Sequence, residues 1–192
     1  MESSQHYMIS YMNDIRKYIK YYEGVMEIKL CNKLINTNFA YKPSTYSTHS
    51  AEKKIKNDRV ISEDFWIKEN DTCFFSLKKI YELIILKYKK NYPSLEINSL
   101  TDFRITKYKE GGFMSKHVDN IHHSHGQSYG YPQLTGLLFL NDNYEGGVIK
   151  ISGESFNTKA GSAILFPSNF IYPHEVTKIT QGERYSITCW ML

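Results

Sequence analysis

The spacing of apolar residues divides the chain near Pro93. Over residues 7–22, Met8, Tyr11, Met12, Ile15, Tyr18 and Ile19 recur at helical spacing. Gly24 interrupts this pattern, and a second short helical stretch runs from about Val25 to Ile35. Residues 39–50 (FAYKPSTYSTHS) are rich in Ser, Thr and Tyr around a Pro, which reads as loop or edge strand. The best helix covers residues 74–90. Phe74, Leu77, Ile80, Tyr81, Ile84, Ile85 and Tyr88 share one face, and Asn91-Tyr92-Pro93 ends it because Pro has no N–H to continue the ladder.

Beyond Pro93 the pattern shortens to alternating or fully apolar runs separated by Gly, Asn and Asp. Residues 101–108, 113–119, 134–140, 148–152, 155–159, 162–166, 171–176 and 184–191 all read as strands. Residues 141–147 (NDNYEGG) form a turn between two of them. So many short strands predict a sandwich or barrel and exclude a parallel α/β sheet. No solenoid repeat and no domain boundary is visible. The chain therefore reads as one domain, 1–192. Residues 1–93 form a helical support that packs on the outer face of a β core, residues 94–192.

Composition narrows the class. Of 192 residues, 41% are hydrophobic and 23% charged, enough apolar material for a core and too little charge for a disordered chain. No apolar run approaches the roughly 18 residues needed to span a membrane. Met1 to Ser10 lack the basic and apolar regions of a secretory signal. Cys31, Cys73 and Cys189 are odd in number and widely spaced, which excludes a disulfide scaffold and favours a reducing compartment, cytoplasmic or nuclear. The net charge of +4 rests on Lys, with only four Arg, and Asn, Ile and Tyr are also abundant. That mixture fits an AT-rich viral or microbial genome. The densest basic runs, residues 53–56 and 87–90, read as solvated faces, so nucleic acid is not the expected partner.

The candidate chemistry begins with His117-Val118-Asp119. In a strand, residues i and i+2 face the same side, so an imidazole and a carboxylate address one point. Alone this carries little, since 7 His and 20 acidic residues give roughly 0.7 such triplets by chance. His174, on a second predicted strand, completes a set of two histidines and one carboxylate. Such a facial triad holds Fe(II) and leaves positions open for O2 and a chelating co-substrate. The dicarboxylate 2-oxoglutarate would chelate through its keto acid end, and its far carboxylate would need a buried cation, best a bidentate Arg. Arg184, ten residues after His174, supplies one. Ser186, at i+2, shares its face and offers a further hydrogen bond.

These stretches resemble a known family. Residues 108–119 (YKEGGFMSKHVD), 138–147 (LFLNDNYEGG) and 174–190 (HEVTKITQGERYSITCW) are similar, in order and spacing, to the three motif segments of Fe(II)/2-oxoglutarate-dependent dioxygenases. The branch is that of prolyl and lysyl hydroxylases, and HVDN, PHEV and RYSITCW are close to the hypoxia-inducible-factor type of prolyl hydroxylase. The resemblance covers roughly residues 101–192. It implies a mainly β fold with flanking helices: a double-stranded β-helix, or jelly roll, with the N-terminal helices packed on its outside. It implies that His117, Asp119 and His174 ligate Fe(II), and that Arg184 clamps the distal carboxylate of 2-oxoglutarate with help from Tyr108 and Ser186. Thr188 and Trp190 would line the substrate pocket, and ascorbate would support turnover. Collagen-type prolyl hydroxylases usually carry Lys where Arg184 stands, which points away from a collagen-type assignment. Where the family has a second aromatic hydroxyl before the metal His, this chain has Phe113 or Met114.

The reading that results is a hydroxylase acting on a peptide or protein side chain, with proline the first choice. Two alternatives stand beside it. One keeps the chemistry on a free amino acid, a small metabolite or an alkylated nucleobase; the other is a non-catalytic jelly-roll binding module. Bland readings also stand for single residues: Tyr108 as a core tyrosine, Ser186 as a plain strand residue, Gly146-Gly147 as a turn. His122-His123-Ser124-His125 reads as a solvated loop that follows Asp119 and is placed to act as a lid.

Overall fold

The computed structural model of the chain describes residues 15–47, 53–54, 58–120 and 130–192. These include two complete helices, α1 (Ile28–Ile35) and α2 (Phe74–Lys89), helical residues at 15–16, and sixteen short strands. The larger sheet runs in the order β1 (Lys20–Tyr22), β13 (Ala163–Pro167), β9 (Leu134–Phe139), β16 (Arg184–Met191), β7 (Phe103–Tyr108), β6 (Glu63–Ile67) and β2 (Lys42–Pro43). The smaller sheet is β12 (Glu154–Phe156), β11 (Ile149–Ile151), β14 (His174–Val176), β8 (Phe113–His117) and β5 (Val60–Ile61). Two ribbons complete the set: β10 (Glu145–Gly146) with β15 (Ile179–Gln181), and β3 (Tyr46–Ser47) with β4 (Lys53–Lys54). Every described pairing is antiparallel. Two facing antiparallel sheets with helices on one outer face are the double-stranded β-helix that the resemblance implied.

Alternation along the central strands separates two cores. On β9, β13 and β16 one set of side chains (Leu138, Leu165, Ile187, Cys189, Met191) joins α1 and α2 in an outer cluster. The other set (Leu137, Phe139, Ile164, Phe166) joins Ile149, Ile151 and Val176 of the smaller sheet in a cluster between the sheets. Period-two alternation therefore builds both layers from the same strands.

Helix α2 lies on the outer layer through the face its sequence pattern marks: Leu77, Tyr81, Ile84, Ile85 and Tyr88 are buried. Burying each such side chain contributes roughly 1.5–3 kcal/mol. The Tyr81 hydroxyl donates to the carbonyls of Ile187 (2.9 Å) and Gly136 (3.3 Å), pinning the helix to β16 and β9. Gly136 is required there, since a Cβ would stand 2.8 Å from the Tyr81 ring and 2.7 Å from Met191 Cε.

The first third departs from the helical pattern in two places. Lys20–Tyr22 is a strand, not the end of a helix, because its backbone completes the open edge of β13. Ile19 and Tyr21 then face the inner cluster and Tyr22 the outer one. Met8, Tyr11 and Met12 lie outside the described residues. Glu63–Ile67 is a full strand beside β7, and β5 extends the smaller sheet, so the first third contributes to both sheets as well as to the outer helices.

Candidate metal centre

The two histidines meet because β8 and β14 pair in a particular register. His117 stands directly opposite His174, whereas Val176 pairs with Met114, so two steps on β14 span three on β8. A bulge of this kind bends a strand and re-aims its side chains. Asp119 follows β8 by two residues and is 2% exposed. Its carboxylate oxygens lie 3.4 Å from His117 Nε2 and 3.3 Å from His174 Nε2. One ligand atom from each of the three residues falls within 4.8 Å of the others.

Hydrogen bonds select which ring nitrogen faces inward. His117 Nδ1 lies 2.8 Å from the Ser115 carbonyl, and His174 Nδ1 lies 3.2 Å from the Tyr172 carbonyl. A carbonyl only accepts, so both Nδ1 atoms donate and, in the neutral rings, both Nε2 lone pairs point at Asp119. Burial and the neighbouring His174 push the His117 pKa down, toward the neutral ring. Burial alone would raise the Asp119 carboxyl, but in the metal-free protein a proton on an adjacent imidazole Nε2 donates to it, outweighs burial and holds the group well below the usual carboxylate range. Lone pairs of two neutral imidazoles and an ionised carboxylate converging on one point repel each other unless a cation lies among them. The donor set, two nitrogens and one oxygen, suits a divalent transition metal such as Fe(II).

A further layer fixes the carboxylate. Thr135 Oγ1 donates to Asp119 Oδ2 (2.8 Å) and lies 2.9 Å from Ser168 Oγ. Thr135 and Ser168 are fully buried. Sequence reading missed both. The available signal was a lone hydroxyl in the otherwise apolar strand LTGLLF. Phe166 packs edge-on against the His174 ring at 4.8 Å and closes the site from behind.

Arg184 approaches from β16. It is 1% exposed, and its Nη1 donates to Ser186 Oγ at 3.1 Å. In register it faces Tyr108 on β7, and its guanidinium lies 5.3 Å from the Tyr108 ring centre and 5.4 Å from that of Phe139. Burial raises the Tyr108 pKa against the pull of Arg184, which keeps the phenol protonated and able to donate. Arg184 Nε is buried without a hydrogen-bond partner among the described residues. The glycine pair does more than turn the chain. At Gly147 (φ +59°) a Cβ would stand 2.3 Å from Ile179 and 3.1 Å from Arg184 Cδ, and at Gly146 one would stand 2.2 Å from the Lys178 carbonyl oxygen. Both positions thus keep space that the Arg184 side chain and the β10–β15 ribbon use.

One cavity joins these groups. His117, Asp119, His174, Tyr108, Arg184, Ser186 and Thr188 all line it, with Arg104 and Thr106 of β7 beside them. Its central space is about 30 Å³. Trp190 shares the inner face of β16 but stands behind the lining. It is fully buried, with its ring centre 4.7 Å from the Arg104 guanidinium. The sequence pattern did not single out Arg104 or Thr106. The loop His122–His125, read as a lid, lies outside the described residues. Two roomier clefts lie on the outside of the molecule, along α2 and between α1 and α2. Among the described residues neither holds a metal-ligating cluster.

Comparison with known proteins agrees with this geometry. The 2OG-Fe(II) oxygenase superfamily model matches residues 103–192. A PKHD-type hydroxylase from Shewanella sp. (strain ANA-3) is 33% identical over 91 residues, 44% of this chain and 40% of the relative. The chain thus spans about two fifths of the length of the curated relatives it matches. The fold is similar to a Pseudomonas putida prolyl-4-hydroxylase, with a TM-score of 0.69, 17% identity and 91% of each chain covered. It is also similar to a Trichoplax adhaerens prolyl hydroxylase solved with a hypoxia inducible factor peptide fragment (TM-score 0.71, 17% identity, 91% of this chain and 83% of that one). Residues 103–192, which carry the triad, Arg184 and Tyr108, thus match the 2OG-Fe(II) oxygenase superfamily model, and the chain has the fold of solved prolyl hydroxylases.

Proposed function

We propose that the protein is an Fe(II)- and 2-oxoglutarate-dependent hydroxylase of a peptide or protein side chain, with proline the first target to test. The observation that carries this reading is the convergence of His117 Nε2, His174 Nε2 and the Asp119 carboxylate, opposite a buried arginine with spare donors. His117, Asp119 and His174 would hold the iron. Bound there with 2-oxoglutarate and O2, iron supplies oxidative decarboxylation of the co-substrate coupled to hydroxylation of a C–H bond.

The chain's own residues do the rest. Carbonyls of Ser115 and Tyr172 fix the imidazole tautomers, and Thr135 fixes the carboxylate. Arg184 would pair with the distal carboxylate of 2-oxoglutarate, with the Tyr108 and Ser186 hydroxyls donating beside it. Burial of Arg184 removes water that would weaken this pair. Thr188 would lie on the substrate side, with Trp190 packed behind it.

The test is a screen of proline-containing peptides, free amino acids and small metabolites with Fe(II), 2-oxoglutarate and ascorbate. A peptide product heavier by one oxygen atom, formed with equimolar succinate, is the expected result. A product only from a free amino acid, a metabolite or a nucleobase would move the substrate assignment. No product, with no 2-oxoglutarate binding, would leave a jelly-roll binding module.

A further inference from the structure

The cavity holds a second arginine for which the co-substrate reading has no use. Arg104 on β7 is the cross-strand partner of Thr188, whereas Arg184 is the partner of Tyr108. The two arginines therefore enter the cavity four residues apart along one ladder, roughly 13 Å of strand. Arg184 occupies the closed end, fully buried, and Arg104 is only partly buried at the other end.

Arg104 is braced but not neutralised. Its guanidinium lies 4.7 Å from the Trp190 ring centre and 5.9 Å from that of Trp66, its cross-strand partner on β6. The two indoles are 5.9 Å apart, tilted by 32°. Its Nε is buried with no hydrogen-bond partner among the described residues, and no described carboxylate forms an ion pair with it. Asp64, on the same face of β6, stands opposite Thr106 and does not close on it. Aromatic faces hold the planar fork in one orientation, yet leave its in-plane donors unused. The aromatic faces stabilise the cation but supply no anion, so a carboxylate ligand would complete the arrangement.

We infer that Arg104, held by Trp66 and Trp190, is a second carboxylate clamp at the substrate end of the cavity. The substrate therefore carries a carboxylate close to the bond that is hydroxylated. This rests on the reading above, in which Arg184 takes the co-substrate. Two sources share the chemistry: the α-carboxylate of a free or terminal residue, and the side chain of an acidic residue next to the target in a peptide.

The chain has only two tryptophans, Trp66 and Trp190, and both flank Arg104, so indole emission reports on this clamp. The protein loaded with Mn(II) and 2-oxoglutarate is titrated with two matched pairs. These are N-acetylproline against N-acetylprolinamide, and acetyl-Pro-Glu-amide against acetyl-Pro-Gln-amide. The carboxylate member of at least one pair should shift the emission and bind about tenfold more tightly than its amide, a difference of the size one charge-assisted pair makes. The first pair identifies a terminal carboxylate, the second an acidic neighbour. Arg104→Met should erase the preference and Arg104→Lys should keep part of it, while calorimetric 2-oxoglutarate affinity stays unchanged in both. Equal binding within both pairs, or no emission shift with any carboxylate, overturns the clamp. So does a loss of 2-oxoglutarate affinity in Arg104→Met, which would assign Arg104 to the co-substrate. If 2-oxoglutarate fails to bind the native protein while the pairs are still discriminated, the clamp stands and the co-substrate reading falls.

Discussion

The two faces of β16 are equally buried and chemically opposite. Arg184, Ser186 and Thr188 turn inward to the cavity, with Trp190 behind them; Tyr185, Ile187, Cys189 and Met191 turn outward to the helices. The outer face is satisfied. Its apolar side chains interlock with α2, and burial lifts the Cys189 thiol to about 12, so it remains an inert packing group. The inner face is not satisfied, since Arg184 Nε, and Thr106 Oγ1 and Arg104 Nε on the neighbouring strand, are buried without partners among the described residues. Well-packed apolar burial makes a fold, and buried polar groups left waiting make a site. Substitutions on the two faces should therefore fail in different ways.

The largest effect belongs to the triad. His174→Ala or Asp119→Ala should abolish turnover and metal binding and leave the thermal midpoint near that of the metal-free native protein. A variant with full turnover would detach the triad from function. Next comes Arg184→Ala, which should raise the 2-oxoglutarate requirement by about 2–5 kcal/mol of lost pairing. Arg184→Lys should recover only part of this, because a point charge cannot form the fork. Saturation curves for uncoupled 2-oxoglutarate decarboxylation check both, and unchanged curves would make Arg184 a structural residue.

On the outer face, Ile187→Ala should cost about 2–5 kcal/mol of stability through the cavity it leaves under α2. Urea denaturation measures this, and the surviving folded fraction should bind metal normally. A folded variant that had lost metal binding would show that the two faces are not separable. Thr135→Val removes one hydrogen bond from Asp119 and should weaken metal affinity roughly 10- to 100-fold, with little change in folding. Unaltered affinity would make Thr135 a bystander.

Acidification gives the smallest effect. The folded pKa of Asp119 is depressed, so its contribution is complete above about pH 4 and is lost as pH falls through the lower folded value. The folded pKa of His117 is also depressed. Below about pH 6.5 the unfolded chain takes up that proton first, and stability falls again in the same direction. The metal-free protein should thus lose stability steadily from neutral to acid pH, and Asp119→Asn should flatten the acid end. A midpoint that rises on acidification would contradict both shifts.

The sequence showed much of this, for physical reasons. Strands buried on both faces, such as LTGLLF and RYSITCWM, declare themselves because nearly every position must pack. His117, Asp119, His174 and Arg184, which the fold brings to one cavity, were legible because the ligation and carboxylate pairing proposed for them demand particular side chains. Strand β6 was not, since Glu63, Asp64, Phe65 and Trp66 are only partly buried and find their register through β7. Lys20–Tyr22 was misread because helical spacing of tyrosines is overridden by an open strand edge. The bulge that sets His117 against His174, the Thr135–Asp119 bond and the position of Arg104 depend on register between strands distant in sequence, which no local pattern carries.

The central claim is that the inner face of β16 and the His–Asp–His cluster form one site for iron and 2-oxoglutarate. A crystal structure of the full chain grown with Mn(II) and 2-oxoglutarate, without O2, tests it most directly. The account predicts one metal on His117 Nε2, His174 Nε2 and the Asp119 carboxylate, with the co-substrate's far carboxylate on Arg184 beside Tyr108 and Ser186. A metal bound instead at His122–His125, or a co-substrate whose far carboxylate turns away from Arg184, would contradict it.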